Sequence, residues 1–186
     1  MLFQIFSLLL EVLAGVLGGA CLLRLYMHYL RIPLSGRAGN PLGRFVTGLT
    51  DWLVLPLRRL VPAKGPWDTA SLLGALLVEL AQYSFLWVLS GATMSYGLVL
   101  YLAFFGLIRL LISGLTGLVI VHALLSWLQA RSVLSDMLDR LVSPLLRPIR
   151  RIIPSIGGID LSPLIFLVVL QIASIILSNL QGSALR

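Results

Sequence analysis

The sequence predicts an all-α polytopic membrane protein of about four transmembrane helices, in two parallel repeats, each with a cytoplasmic amphipathic interfacial helix. Three observations predict it. The 186 residues are 59% hydrophobic and only 11% charged, against roughly 25% charged in a soluble domain, and the mean hydropathy is +1.01. The charges are segregated, with no Lys, Arg, Asp or Glu between Glu79 and Arg109, Arg109 and Arg131, or Asp160 and Arg186. Finally, a segment around Pro56 recurs 92 positions further on. Too little charge remains to clothe a globule in water. A soluble enzyme, a disordered tail and a secreted disulfide scaffold are excluded, and the single cysteine, Cys21, leaves no intramolecular disulfide or cysteine-based metal cluster.

The first span covers about Ile5 to Met27 and contains Glu11 and Arg24. It lacks a basic stretch before its apolar run, and Glu11 falls where a signal peptide would be apolar, so it reads as a retained span. Gly15, Gly18 and Gly19 suit close packing of this helix on a neighbour. Residues 42–53 follow as an amphipathic helix, with Leu42, Phe45, Val46, Leu49, Trp52 and Leu53 at helical spacing. Asn40 is its expected N-cap, Pro41 its first helical residue, and Pro56 is expected to end or kink it. The second span covers about Ser71 to Gly91 and holds Glu79 and Gln82.

The third lies within Tyr96 to Leu128, a stretch interrupted only by Arg109. Its 33 residues exceed a hydrocarbon core of ~30 Å, so it tilts, projects, or breaks near Gly114 or Gly117, the break giving a fifth short segment. Residues 134–146 form the second amphipathic helix, on Leu134, Leu138, Leu141, Val142 and Leu145, with Asp136, Asp139 and Arg140 off the centre of the stripe and Pro148 as its stop or kink. The fourth span covers about Pro163 to Leu180, with Gln171 its one strongly polar residue. Long continuous apolar segments in hydrocarbon must be helices, since each backbone N–H and C=O needs a partner within the segment.

The repeat is carried by Leu55-Pro56-Leu57-Arg58-Arg59-Leu60-Val61-Pro62, which returns as Arg147-Pro148-Ile149-Arg150-Arg151-Ile152-Ile153-Pro154; the same offset puts Gly65 on Gly157 and Asp68 on Asp160. Residues 1–92 and 93–186 are therefore two units of span, basic amphipathic segment and span. An even number of spans per unit makes the repeat parallel. The two connections inside the units carry eleven basic residues, and the loop around Ala92 to Ser95 carries none. The positive-inside rule then puts the basic connections in the cytoplasm and both termini on the periplasmic side.

Candidate functional residues fall into three sets. Glu79 lies ~12 Å inside its span, and Gln171 stands at the same level 92 positions on. Together they read as a cation path or as an interhelical polar seam. Glu11 and Arg109 belong to the outer half, where they face one another, with Arg109 too far outward to pair with Glu79. Arg58, Arg59, Arg147, Arg150 and Arg151 read as contacts to anionic lipid, to a partner, or as topology signals alone. Asp68, with Gly157, Gly158, Asp160, Ser162 and Pro163, reads as turn and cap chemistry at the starts of spans two and four, or as a cation site made by the two aspartates. His28 and His122 lack a second ligand at suitable spacing, so no metal is expected. No nucleophile–base set and no phosphate-binding glycine loop appears, which leaves no cofactor, no catalytic residue and no nucleic-acid partner.

The second basic segment, together with Gly157-Gly158-Ile159-Asp160-Leu161-Ser162-Pro163 and the Ser126-Trp127 that closes span three, resembles the YggT family of small integral membrane proteins. The first copy departs from that pattern, with Gly65-Pro66-Trp67 and Thr69-Ala70-Ser71 in the corresponding places. The resemblance covers essentially the whole chain and implies an inner-membrane protein in the two-unit form. It implies either support of cation uptake and osmotic-stress tolerance as a small channel-like protein, or an organising role in cell division or membrane-complex assembly. In the second case the basic helices dock anionic lipid or a cytoplasmic partner. Four spans enclose little room, so conduction calls for a homo-oligomer.

Overall fold

The computed structural model describes residues 2–34, 40–62, 65, 67–92, 95–128, 132–152 and 160–183. They form six helices: α1 (Leu2–Tyr29), α2 (Pro41–Leu60), α3 (Thr69–Leu89), α4 (Tyr96–Trp127), α5 (Val133–Ile152) and α6 (Ser162–Ser183). The fold is all-α, and α1, α3, α4 and α6 are long and apolar enough to cross a membrane. The bounds of α2, shifted by the 92-residue offset of the sequence repeat, coincide with those of α5. Their inward faces coincide too, with Val46, Thr50 and Val54 of α2 matched by Leu138, Val142 and Leu146 of α5, all buried.

The third apolar stretch does not break. α4 is one helix of 32 residues, ~48 Å long at 1.5 Å per residue. A glycine inside a helix costs only about 1 kcal/mol, whereas a break in hydrocarbon would strand several backbone groups at several kcal/mol each. Gly114 and Gly117 therefore stay helical, with open space where a side chain would stand. Nor do the prolines end the amphipathic helices. α2 runs on through Pro56, and α5 through Pro144 and Pro148. A proline in a helix removes one hydrogen bond at a cost of ~3 kcal/mol. The turn beyond each one is held from outside, by the packing of Leu57 and by the ion pairs of Arg58 and Arg150.

The chain divides into two compact units. The first contains α1, α3, α2 from Gly43 onward and α4 as far as Leu111. Here α1 lies against α3, and α2 closes the core with Val54 packed among Cys21, Leu22, Ala70 and Ala75. Leu53, Leu57, Leu107 and Leu110 line its edge. Of the three α1 glycines expected to pack closely, Gly18 does: a Cβ there would stand 2.6 Å from Leu110 Cδ2, whereas Gly15 and Gly19 have nothing within 4 Å. The second unit contains α4 from Ile112, α5 and α6, with residues 40–42. Its core is Val119, Val142 and Leu146, packed on by Leu118, Phe166 and Leu167.

The apolar stripe read on α2 is two surfaces. Val46 is fully buried, while Phe45 and Trp52 are 61% and 63% exposed on another face of the helix. In α5, Leu141 is buried against the protein.

α1 and α3 end in the same device. In α3, the Gly91 N–H bonds to Val88 O and the Ala92 N–H to Trp87 O, with Gly91 at φ +83°. In α1, the Arg31 N–H bonds to His28 O and the Ile32 N–H to Met27 O, with Arg31 at φ +56°. Each is a Schellman cap, which wants glycine at its left-handed position. α1 instead carries an arginine there, at a strain cost of about 1 kcal/mol or more.

Candidate functional site

Within the first unit, the fold gathers the ionisable groups of the spans. Glu79 is the middle residue of α3, ~15 Å from its start at Thr69, and is 5% exposed. Its carboxylate lies directly on the backbone of Gly106 in α4, where any Cβ would collide with it and would also come within 2.9 Å of Tyr83 Cε2. Tyr83 is one helical turn beyond Glu79, and its hydroxyl accepts a hydrogen bond from Arg109 Nη2, one turn beyond Gly106. Glycine is what permits the contact: it brings α3 and α4 close enough for the carboxylate to sit in the helix–helix seam.

Arg109 gives its hydrogen bond to Tyr83, four residues along α3 from Glu79. α3 and α4 are antiparallel neighbours, so residues near their middles meet whichever end each is counted from. The site assembled from sequence also contained Gln171, which the structure puts on an exposed face of α6 in the second unit. In its place Tyr83 completes the group. Its signal was its spacing, four residues from Glu79 on the same helix face.

A second polar network closes the end of the first unit. Arg24 is 3% exposed, and its Nη1 donates to Thr50 Oγ1 at 2.7 Å and to Asp51 Oδ1 at 2.6 Å, both on α2. Arg58 donates to the fully buried Asp68 at 2.5 Å. Asp68 also accepts from the Ser71 hydroxyl at 2.8 Å and lies 4.0 Å from Arg24 Nε. It stands at the N-cap position of α3, yet its side chain makes no capping bond. Its Oδ2 accepts from Arg58 and Ser71, while Oδ1 is buried without a hydrogen bond. Such burial of charge is sustainable only because each group has an opposite partner. Arg24 and Asp51 were not legible as partners, being 27 positions apart on helices whose crossing is a tertiary fact.

The second unit carries the Arg58–Asp68 pair again. Arg150 Nη2 lies 2.7 Å from Asp160 Oδ2, and Asp160 Oδ1 accepts the Ser162 N–H at 2.9 Å, where α6 begins. Burial would raise the Asp160 carboxyl, but the hydrogen bonds from Ser162 and Arg150 outweigh it and hold the carboxyl below its ordinary 3.8. Ser162 is buried and Pro163 follows it as the second residue of α6. Gly157 and Gly158 lie outside the described residues. His122, 8% exposed, is 3.2 Å from Asp139 through Nδ1, joining α4 to α5. Arg59, Arg147 and Arg151 are exposed. Among the described residues, no group of three or more His, Cys, Asp or Glu is arranged to hold a metal ion.

Four apolar helices of spanning length, two amphipathic ones and paired charges at the helix ends define a small polytopic membrane protein of the inner membrane. The chain belongs to the CCB3/YggT family, whose model matches residues 2–89 and 101–181. It is 37% identical to the YggT protein of Escherichia coli strain K12 over 158 residues, 81% of this chain and 77% of that one. It is 34% identical to a protein of the proC 3′ region of Vibrio alginolyticus over 77% of this chain and 79% of the other. With a protein of Pseudomonas aeruginosa it shares 30% identity over 89% of this chain and 87% of the relative. No solved structure matches it.

Proposed function

We propose that this protein handles a cation in the inner membrane, with Glu79 as the polar step at mid-span. One observation carries the reading: the Glu79 carboxylate is buried in the α3–α4 seam on Gly106, beside the Tyr83 ring whose hydroxyl accepts from Arg109. A carboxylate in hydrocarbon must be protonated, paired or hydrated. A hydrated, ionised Glu79 in the seam attracts a cation and repels anions. The chain itself buries little of its spans, least of all in α6, so the conducting form is an assembly of several copies. The functional class, uptake linked to osmotic stress, is carried over from the family resemblance. The orientation we propose keeps the basic connections cytoplasmic and both termini periplasmic. The units 1–92 and 93–186 are parallel repeats, a reading supported by the matched bounds of α2 and α5 and by the two matched family segments.

The experiment is cation flux in proteoliposomes of the full chain. Glu79→Gln keeps the hydrogen-bonding capacity and removes the charge, so flux falls while protein level and oligomeric state hold. Normal flux from both Glu79→Gln and Glu79→Ala sinks the role of Glu79. A well-folded wild type without flux in any assembled state favours the second reading, an organising protein of division or complex assembly. The exposed Arg59, Arg147 and Arg151 and the outward Phe45 and Trp52 support that alternative, as the parts that would meet anionic lipid or a cytoplasmic partner.

A further inference from the structure

We propose that α6 docks a second copy of this chain, its Gln171 carboxamide hydrogen-bonded at mid-membrane to the partner's Gln171. Of the four spanning helices, α6 is the least buried within the chain. Its open side carries a seam. Leu164, Val168, Gln171, Ile175, Ser178 and Gly182 follow one another at spacings of four, three, four, three and four, and all of them are exposed. That is the 3.5-residue repeat of two helices packed knobs into holes.

Gln171 decides what lies on the seam. With α6 running from Ser162 to Ser183, it stands about 14 Å from the start of the helix and about 18 Å from its end, at 1.5 Å per residue. Its side chain is too short to carry the carboxamide to either headgroup layer. Hydrocarbon offers that group neither donor nor acceptor, and among the described residues it has no hydrogen-bond partner. Polar side chains at such depth face protein.

Symmetry selects a second copy as that protein. All copies of one chain insert with the same topology, so their α6 helices run parallel. A two-fold axis along the membrane normal then brings each seam residue level with itself. A carboxamide both donates and accepts, so two at one level satisfy each other, and a single polar residue in an apolar seam fixes the register. The end of the seam suits the same contact. Gly182 has open space where a side chain would stand, and the Ser178 hydroxyl already donates to Ile175 O at 2.8 Å. Small residues there let two backbones approach. The adjoining exposed face, of Val169, Ile172 and Ile176, is wholly apolar at this depth. The inference requires α6 to span the bilayer and does not depend on the cation reading.

Disulfide cross-linking of the full chain in membranes tests it. Cys21, the single native cysteine, is buried, so wild type supplies the uncross-linked baseline. Val168→Cys and Ile175→Cys, on either side of Gln171 in the seam, should oxidise to dimers. Val169→Cys and Ile176→Cys, on the adjoining face, should stay monomeric. Gln171→Leu should raise the dimer dissociation constant in lipid about fivefold, as expected for one interhelical hydrogen-bonded pair. Its thermal unfolding as a detergent monomer should match wild type, because the residue is exposed. Gln171→Asn keeps a carboxamide near that level and should stay within about twofold of wild type. Equal cross-linking at all four cysteine positions would overturn the seam. So would its absence at Val168→Cys and Ile175→Cys, which would leave the face to lipid. A dissociation constant unchanged by Gln171→Leu would overturn the pairing of the two carboxamides. Dimer is the readout throughout, so failure here and failure of cation flux are separate results.

Discussion

Arg58 pairs with Asp68 at 2.5 Å, and 92 positions later Arg150 pairs with Asp160 at 2.7 Å. In both places the pair joins the last turn of an amphipathic helix to the residues that start the next span. The environments differ. Asp68 is fully buried and shared with Ser71, whereas the Asp160 side chain is 37% exposed. Where the first unit has Arg24, Thr50 and Asp51, the second has Thr116, Val142 and Ser143. The same pin is thus embedded in a buried network once and stands near the surface once.

That difference sets the cost of removing each acid. Asp68→Asn leaves Arg24 and Arg58 facing a neutral amide in a buried place, and should cost about 3 kcal/mol or more. Asp160→Asn breaks a partly exposed pair and should cost under about 1 kcal/mol. Unfolding of the two variants in the same detergent measures the ratio; equal losses would contradict the burial difference.

The Asp160 carboxyl also predicts a pH dependence. Its value in the fold is depressed below the ordinary 3.8. A depressed acid contributes stability that is present in full above its unfolded value and is lost as pH falls through the folded one. Local stability at the α5–α6 connection should therefore be level from neutrality down to about pH 5 and fall below about pH 4. Hydrogen exchange at the start of α6 reads it, and Asp160→Asn should abolish the acid limb of the curve.

Gly106 and Gly18 give a paired test of the packing. Alanine at Gly106 drives a methyl into the Glu79 carboxylate and the Tyr83 ring, and should cost about 1–3 kcal/mol. Alanine at Gly18 meets the movable end of Leu110, 2.6 Å away, and should cost less. Thermal midpoints of the purified variants compare them. Gly106→Ala should also lower any cation flux without changing a single charge.

Reporter fusions after Gly91 and after Arg151 should fall on opposite sides of the membrane, the first periplasmic and the second cytoplasmic. The asymmetry behind the expectation is eleven basic residues within the two basic connections against none in the loop around residues 92–95. Reporters on the same side would overturn the number of spans.

Much of this was readable one residue at a time. Membrane character, helix type and four spanning segments follow from apolar length alone, because the bilayer demands local satisfaction of every backbone group. The repeat was readable because Pro56, Arg58, Arg59 and Asp68 return in register as Pro148, Arg150, Arg151 and Asp160. The basic residues near the helix ends were visible too, but not what they touch. Arg58 and Arg150 read as lipid or partner contacts, and the fold gives each an aspartate.

Partner choice belongs to tertiary structure. Gln171 matches Glu79 in level by sequence, yet Glu79 is drawn into a group with Tyr83 and Arg109 by the close approach at Gly106. Arg24 meets Asp51 because α2 folds back across the end of α1. Hydrophobic periodicity reports how far a residue sits from water, a one-body quantity that a chain carries locally. Which charge faces which depends on the crossing of helices distant in sequence, a two-body quantity that exists only once the helices have packed.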